Sequence, residues 1–456
     1  MAKKFDPSVL VEYERIVQEL NERVGENRIH PSLERIQTLL EYLGNPHTSY
    51  KVIHVAGTNG KTTTSRMIET LLRQAGLTTG LTTSPHLQDV RERIQIGGHS
   101  IDIETFIETY NDMKPIVDLV EERLGQKLSF FEFMTAMAFT AFASSAVDVA
   151  VIEVGMGGTW DATNVVIPSV CVITPIDLDH QEYLGDTIAL IAGEKAGVIK
   201  SDAVVVSATQ HPDAESVLRA KAEEQNVQIY FADIDFGLEY RQPAVGGQII
   251  SLRGSYSTYD NIVLPLFGEH QAHNAALALE AIEKFFGVNE SRPELSYELV
   301  AEGFSQATSP GRLEVIQRAP TVLVDVAHNP HGAFALRKAL LSEFDFQYLV
   351  MIVAMFQDKD MHGFFENMHG AIDHVILTNV GHTRSATVEE LEAIAREHLG
   401  EVPIEVAINL TDAMNRAVEL VDDFTLGEHG GSGILVTGSV YTVGAMRTLL
   451  KKVNDI

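Results

Sequence analysis

The chain has 456 residues, with 63 Asp and Glu against 34 Lys and Arg, and a formal net charge of −29 argues against a nucleic-acid partner, which requires basic patches. Its 45% hydrophobic and 21% charged residues are ordinary globular composition, and at this length two domains are the default expectation. No apolar run reaches the roughly 18–20 residues of a membrane helix, the opening Met1–Pro7 lacks a signal-peptide core, and the single Cys171 cannot close an internal disulfide, so a cytoplasmic protein is expected.

The first 50 or so residues read as helices, broken at Gly25 and at Gly44, Asn45 and Pro46. Strand-like runs follow at Val52–Ala56, Thr78–Thr83, Val147–Val154, Val170–Thr174 and Ala203–Ser207, with helical patterns between them, including Phe130–Ser145. Strands as apolar as Val149–Ile152 predict a parallel sheet covered on both faces. Residues 225–265 turn polar and predict an antiparallel excursion, and Gly268–Phe286 is helical. Residues 307–311 break the pattern and make a candidate linker.

A second alternation follows. Strands are expected at Val322–Val326, Tyr348–Ala354, His374–Asn379, Ile404–Ala407 and Gly433–Thr437, with helices between and after them. The predicted fold is therefore α/β, with an N-terminal P-loop-type doubly wound parallel sheet over residues 1–306. A smaller C-terminal Rossmann-like α/β domain covers 311–456.

The string Gly57, Thr58, Asn59, Gly60, Lys61, Thr62, Thr63 joins the first of these strands to a long helical pattern. Strand, glycine turn, lysine, threonine and helix make a phosphate cradle. Backbone N–H groups and the helix N-terminus face the anion, Lys61 reaches the outer phosphates, and a threonine hydroxyl can ligate Mg²⁺. Val55 stands where the longer form of the motif has a glycine, so this is a shortened version. A nucleoside triphosphate, ATP, is the implied cofactor.

Other candidates close neighbouring strands, where ligands sit in an open parallel sheet. Ser84 is either a turn serine before Pro85 or a holder of metal or its water. Glu153 interrupts a run that should be buried, so it is paired in an ion pair or binds Mg²⁺. Gly155, Gly157 and Gly158 imply a backbone that passes close to a ligand or changes conformation. His180 is either a hydrogen-bonded loop histidine or a further metal ligand. Lys195, between Gly193 and Gly197, reads from spacing alone as a surface lysine. Further along, Asn274, Arg312, Asp325 and His328 stand at strand ends, helix starts or the hinge, with Arg312 placed to meet a transferred phosphate.

Taken together and in this order, these strings resemble the folylpolyglutamate synthase and dihydrofolate synthase family, a branch of the Mur ligases, over about Ile29 to Tyr441. Gly-Thr-Asn-Gly-Lys is common to Mur-type ligases. The strings from Thr83 to Leu87, Glu153 to Gly158, Asp161 to Asn164, Glu194 to Gly197 and Ala327 to Pro330 are similar to the folate branch.

The resemblance implies an ATP-dependent amide ligase that joins L-glutamate to a folate, and in bifunctional members to dihydropteroate, through an acyl phosphate. It implies that Gly57, Thr58, Asn59, Gly60, Lys61, Thr62, Asn274, Arg312 and Asp325 hold ATP. Thr63, with Thr62 in reserve, Ser84, Glu153 and His180 would ligate Mg²⁺ at two sites. Lys61, Lys195 (as a carbamate) and His328 are the implied catalytic residues. Ser439 and Tyr441 would join His328 on the glutamate side. Ile29–Pro31, Phe130, Phe131, Glu132, Trp160, Asp161 and Ala162 would form the pterin side. A monomer with small-molecule partners, and neither nucleic acid nor membrane, is expected. The competing readings are a cell-wall Mur ligase acting on a UDP-sugar peptide and a nucleotide switch without ligation.

Overall fold

Eight strands form the sheet of the first unit in the computed structural model, which describes residues 7–25, 31–292, 294–426 and 431–454. They are β1 (Lys51–Ala56), β2 (Thr79–Thr82), β3 (Ile94–Ile96), β4 (His99–Ser100), β5 (Val149–Glu153), β6 (Val170–Ile173), β7 (Val204–Ser207) and β8 (Ile229–Phe231), in the order β4-β3-β2-β5-β1-β6-β7-β8. From β2 to β8 every neighbouring pair is parallel. The hairpin of β3 and β4 runs antiparallel on the β2 edge.

In β1 every residue after Lys51 is buried, because helices cover both faces and no solvent side exists to demand alternation. Val52, Ala150 and Ile152 pack with Phe106, Tyr110, Phe133 and Phe139 of the helices Ile103–Leu124 and Phe130–Ser144. Ala56, Cys171, Ile173 and Val205 pack with Ile191, Ala192, Ala214 and Leu218 of the helices Ile188–Ala196 and Pro212–Gln225. The helix Lys61–Gln74 lies on β1 and β5. The chain leaves β1 for one side of the sheet and later returns to β6 on the other, so the carboxyl end of β1 is a topological switch point.

The expected excursion over 225–265 begins with β8, which still pairs parallel with β7. It then becomes the three-stranded sheet of β9 (Gly237–Ala244), β10 (Gly247–Arg253) and β11 (Thr258–Leu264). The two-residue link from β9 to β10 is too short for anything but an antiparallel turn.

The second unit carries β12 (Glu314–Arg318), β13 (Thr321–Val324), β14 (Tyr348–Val353), β15 (His374–Leu377), β16 (Ile404–Val406) and β17 (Ser432–Thr437), in the order β12-β13-β17-β14-β15-β16. All pairs are parallel except β12 with β13. Strands β3, β4 and β12 have no counterpart among the expected elements. β4 has two residues and β12 is half-exposed along its length, so neither carries an apolar signature.

The first unit comprises Met1–Tyr240, Ile250–Leu264 and His273–Ala307, and the second Arg241–Ile249, Pro265–Ala272 and Thr308–Ile456. Two short inserts thus join the single cut expected near 307–310. Inside the second unit, the Gln248 amide donates to the carbonyls of Leu266 and Gly268, and Arg241 pairs with Glu343. Among the described residues no helix is long and apolar enough to cross a membrane.

Candidate active site

In the first unit the chain leaves β1 through Gly57 and enters the helix Lys61–Gln74 at Gly60, which caps it in a left-handed conformation with φ +87°. The Thr58 N–H donates to Pro175 O at 2.9 Å, and the Thr58 hydroxyl donates to Asp177 O at 3.0 Å, tying the loop to the segment after β6. Asn59 N–H also points to Pro175 O, at 3.4 Å. A side chain at Gly60 would put its Cβ 2.7 Å from Asn274 Oδ1, so the buried Asn274 stands directly against the loop.

Two ammonium groups converge on one carbonyl. Lys61 Nζ lies 3.0 Å from Gly57 O and 3.1 Å from Thr58 O, and Lys195 Nζ lies 2.8 Å from Gly57 O. Lys195 is 4% exposed, which corrects the surface-lysine expectation. Its helix is pressed onto the glycine run: a Cβ on Gly158 would meet Glu194 O at 2.4 Å and Lys195 Cα at 2.9 Å. The Thr159 N–H donates to the same Glu194 carbonyl at 2.9 Å. Burial, reinforced by the Lys61 charge, pushes the Lys195 amine down to about 7.

Glu153 ends β5 and is 3% exposed. It accepts the Thr62 hydroxyl at 2.8 Å on one oxygen and the Ser84 N–H at 3.3 Å on the other. Thr62, half-buried, is therefore the threonine that faces the carboxylate, while Thr63 is buried one position further into the helix. His180 caps the short helix Gln181–Leu184 with φ +52°, its imidazole 3.8 Å from the Asp179 carboxylate.

Asp161 fastens the glycine run. Its carboxylate accepts the N–H groups of Met156 and Thr163, each at 2.9 Å, and the Thr163 hydroxyl at 2.5 Å. Burial pushes this carboxyl up, opposed by those same hydrogen bonds. The Thr163 hydroxyl also meets Nε2 of His54 at 2.9 Å, and burial pushes that fully enclosed imidazole down to about 3. Ala162 is buried beside Asp161, and Trp160 is half-buried, its ring 3.2 Å from where a Gly157 Cβ would stand.

Phe130, Phe131 and Glu132 open one helix but do different things. The Arg93 guanidinium lies over the Phe130 ring at 5.0 Å and donates to His86 Nδ1 at 2.8 Å. The Phe131 ring lies against Gly155, where a Cβ would meet it at 2.5 Å. The Glu132 carboxylate accepts the Ser129 N–H at 2.7 Å in a capping box and pairs with the buried Arg35 at 3.0 Å. These partners explain its burial without a ligand. Ile29 and His30 lie outside the described residues.

In the second unit, Asp325 follows β13 and is buried. Its two oxygens accept the N–H groups of Leu313 and Ala327, each at 2.8 Å. Burial pushes its carboxyl up, opposed by the Ala327 N–H and the nearby Arg312 charge. His328 is half-buried, with Nδ1 2.8 Å from Val326 O. Ser439, after β17, accepts the Thr442 N–H at 3.1 Å and so caps the final helix, Val440–Asn454. Tyr441 is 46% exposed, with its ring 4.8 Å from that of His382 and 5.3 Å from that of Phe356.

Two family profiles match in tandem, the Mur ligase middle domain over residues 55–282 and the Mur ligase glutamate ligase domain over 311–440. The dihydrofolate synthase/folylpolyglutamate synthase of Mycobacterium tuberculosis is 46% identical over 94% of this chain and 92% of its own. The folylpolyglutamate synthase of Lacticaseibacillus casei is 33% identical over 91% of this chain and 94% of its own. This chain belongs to the folylpolyglutamate synthase/dihydrofolate synthase family of Mur ligases. A crystal structure of the M. tuberculosis folylpolyglutamate synthase, complexed with ADP and AMPPCP, has a TM-score of 0.92 and 45% identity. It covers 97% of this chain and 98% of its own.

Within this family frame, sequence reasoning missed the brace formed by His54, Thr163 and Asp161. His54 sits in a strand read as apolar, and its polar partner Thr163 is 109 residues away. Sequence reasoning placed Thr63 ahead of Thr62 for Mg²⁺, while the hydroxyl that meets Glu153 is that of Thr62. A helix start rotates side chains by about 100° per residue, which separates neighbours that look equivalent in sequence.

Proposed function

We propose that the protein is an ATP-dependent ligase that forms an amide between L-glutamate and the carboxylate of a folate, and also of dihydropteroate. The observation that carries this is the meeting of Lys61 and Lys195 at Gly57 O beside the Glu153–Thr62 pair. A phosphate loop alone fits many nucleotide proteins; a second, buried lysine with a carboxylate fits ligation. Family membership supports ATP and glutamate as substrates. The dual name of the 46%-identical relative favours both acids over one.

In the reaction, an oxygen of the acid attacks the γ-phosphorus of ATP and ADP leaves, giving an acyl phosphate. The α-amine of glutamate then attacks the acyl carbon, and phosphate departs as the amide forms. Lys61 turns from its loop carbonyls to the β- and γ-phosphates and neutralises charge on the transferred group. Asn274 stands against the loop to contact the nucleotide, and the family resemblance gives Arg312 and Asp325 nucleotide roles as well. His328, Ser439 and Tyr441 hold glutamate, and Phe130, Phe131, Trp160, Asp161 and Ala162 shape the pterin side. Glu132 is better read as the cap and ion-pair partner that shapes this helix.

The donors at Glu153 and Thr62 are hard oxygens at the end of a strand and the start of a helix, and they fit Mg²⁺. Thr62, Ser84, Glu153 and His180 would hold two ions, with Thr62 preferred to Thr63, and bound Mg²⁺ supplies charge neutralisation to the phosphoryl group. A lysine held near neutrality presents the uncharged amine that carbon dioxide requires, so Lys195 fits carbamylation. A monomeric, cytoplasmic enzyme completes the proposal, and sedimentation of the purified protein tests the first of these.

The test is phosphate release with Mg-ATP, glutamate and either tetrahydrofolate or dihydropteroate, each component omitted in turn. Release that needs glutamate and responds to both acids supports the dual ligase. Release with one acid narrows the activity to that acid, and release with neither, but with a UDP-muramoyl peptide, overturns it.

A further inference from the structure

We propose that the second unit carries a transition-metal site, of the kind that takes Zn²⁺, formed by His362, Glu397 and His398. It lies on two helices that the ligase reading does not use. His362 is in the first turn of the helix Met361–Met368, and Glu397 and His398 are in the last turn of the helix Val388–Leu399. One ligand atom from each residue lies within 4.8 Å of the others. His362 Nδ1 is 3.0 Å from His398 Nε2 and 3.7 Å from a Glu397 oxygen.

These separations bracket the spacing a metal imposes. Two nitrogens bound at roughly 2.0–2.1 Å in tetrahedral geometry stand about 3.3 Å apart. Two imidazoles and one carboxylate are a three-ligand set of borderline hardness, which suits zinc and its first-row neighbours and not Mg²⁺ or Ca²⁺. Solvent completes the coordination, because His362 and Glu397 are exposed. The last-turn carbonyls around Glu397 and His398 add the negative end of a helix dipole to the attraction.

The scaffold is rigid. Phe364, Phe365 and Met368 on one helix and Leu391, Ile394 and Ala395 on the other belong to one buried core, so the two backbones are fixed before any ion arrives. Without a metal, the short contact between the rings requires one imidazole to donate and the other to accept. An ion replaces that shared proton and cross-links the two helices, so its bound state is a clamp rather than a reaction centre. Its occupation stabilises the folded chain by mass action.

The experiment is calorimetric titration of the full chain with Zn²⁺, with excess Mg²⁺ and ATP present to occupy oxygen-donor sites. One equivalent is expected to bind, with affinity at least ten-fold weaker in His362→Gln and in His398→Gln and unchanged in the exposed control His99→Gln. Co²⁺ should give the visible absorption of a tetrahedral nitrogen–oxygen site, absent from both histidine variants. Zn²⁺ should raise the melting temperature of the parent chain and leave that of a variant carrying both His362→Gln and His398→Gln unmoved. Glu397→Gln keeps both rings and tests the carboxylate should a histidine variant fold poorly. Equal Zn²⁺ affinity in the parent and in any folded His362, His398 or Glu397 variant, or no binding to the parent, overturns the proposal.

Discussion

The carboxyl ends of the two parallel sheets are built on opposite terms. In the first unit the residues around the phosphate loop bury charge: Lys61 and Lys195 share one carbonyl, and Glu153 is held by a hydroxyl and an N–H. In the second unit the buried Asp325 is spent on holding backbone, tying Leu313 and Ala327 together, while Tyr441 stays half in solvent. The first end stores electrostatic free energy that a triphosphate can draw on. The second is a shaped frame, and the glutamate contacts proposed for it include the half-exposed Tyr441. Substitutions at the first should therefore strike turnover, and those at the second should strike stability or substrate affinity.

The sharpest break of this comparison is Lys195→Ala. Turnover should fall by roughly a hundred- to a thousand-fold, the cost of losing one preorganised charge group. Added acetate should return part of it if a carbamate carboxylate is what was lost; phosphate release measures both. Glu132→Gln comes next. It leaves the buried Arg35 with an impaired partner, and stability should drop by about 3 kcal/mol in denaturant unfolding. The KM for folate should stay within a few-fold; a large KM rise at unchanged stability would return Glu132 to the substrate side.

Asp325→Ala strands two backbone N–H groups and should cost about 2 kcal/mol or more. If it instead leaves stability intact and removes only ATP affinity, the contrast between the two ends fails. A more gradual signal lies in pH. The amine of Lys195 is ordinarily near 10.5 and is pushed down to about 7, so between these values the unfolded chain binds more protons than the folded one. Stability should then rise with pH across that window, by up to about 1.4 kcal/mol per unit, with the full penalty present below pH 7. Lys195→Met should flatten this slope in melts taken from pH 7 to 10. The smallest effect is expected from Tyr441→Phe, which keeps the ring packed on Phe356 and His382. Its melting temperature should hold, and the KM for glutamate should rise less than ten-fold.

Much of the fold was legible because both sheets are covered on two faces, so their central strands are continuous apolar runs set between amphipathic helices. What sequence reasoning lost was the short edge: β4 has two residues, and β12 is half in solvent with a register shift between Val315 and Gln317. At the site, Glu153 was legible because a carboxylate in a buried strand demands a partner. Lys195 was not, because its burial depends on Gly158, 37 positions earlier, permitting backbone contact with its helix. The competition between Thr62 and Thr63 turns on one step of helix rotation, below what spacing can resolve. Glu132 is the opposite case: its motif position points to a ligand, while its capping box and Arg35 engage both oxygens without one.

The outermost strands have a colloidal consequence. β4, β8 and β16 are two or three residues long, and β12 is kinked by its register shift. A second chain that tried to extend either of the two large sheets would find too few free backbone groups in line to repay its ordering. The net charge of −29 adds repulsion at every approach. In crowded solutions, chain-to-chain extension of these two large sheets should therefore be disfavoured, even though their centres are among the most apolar stretches the protein has.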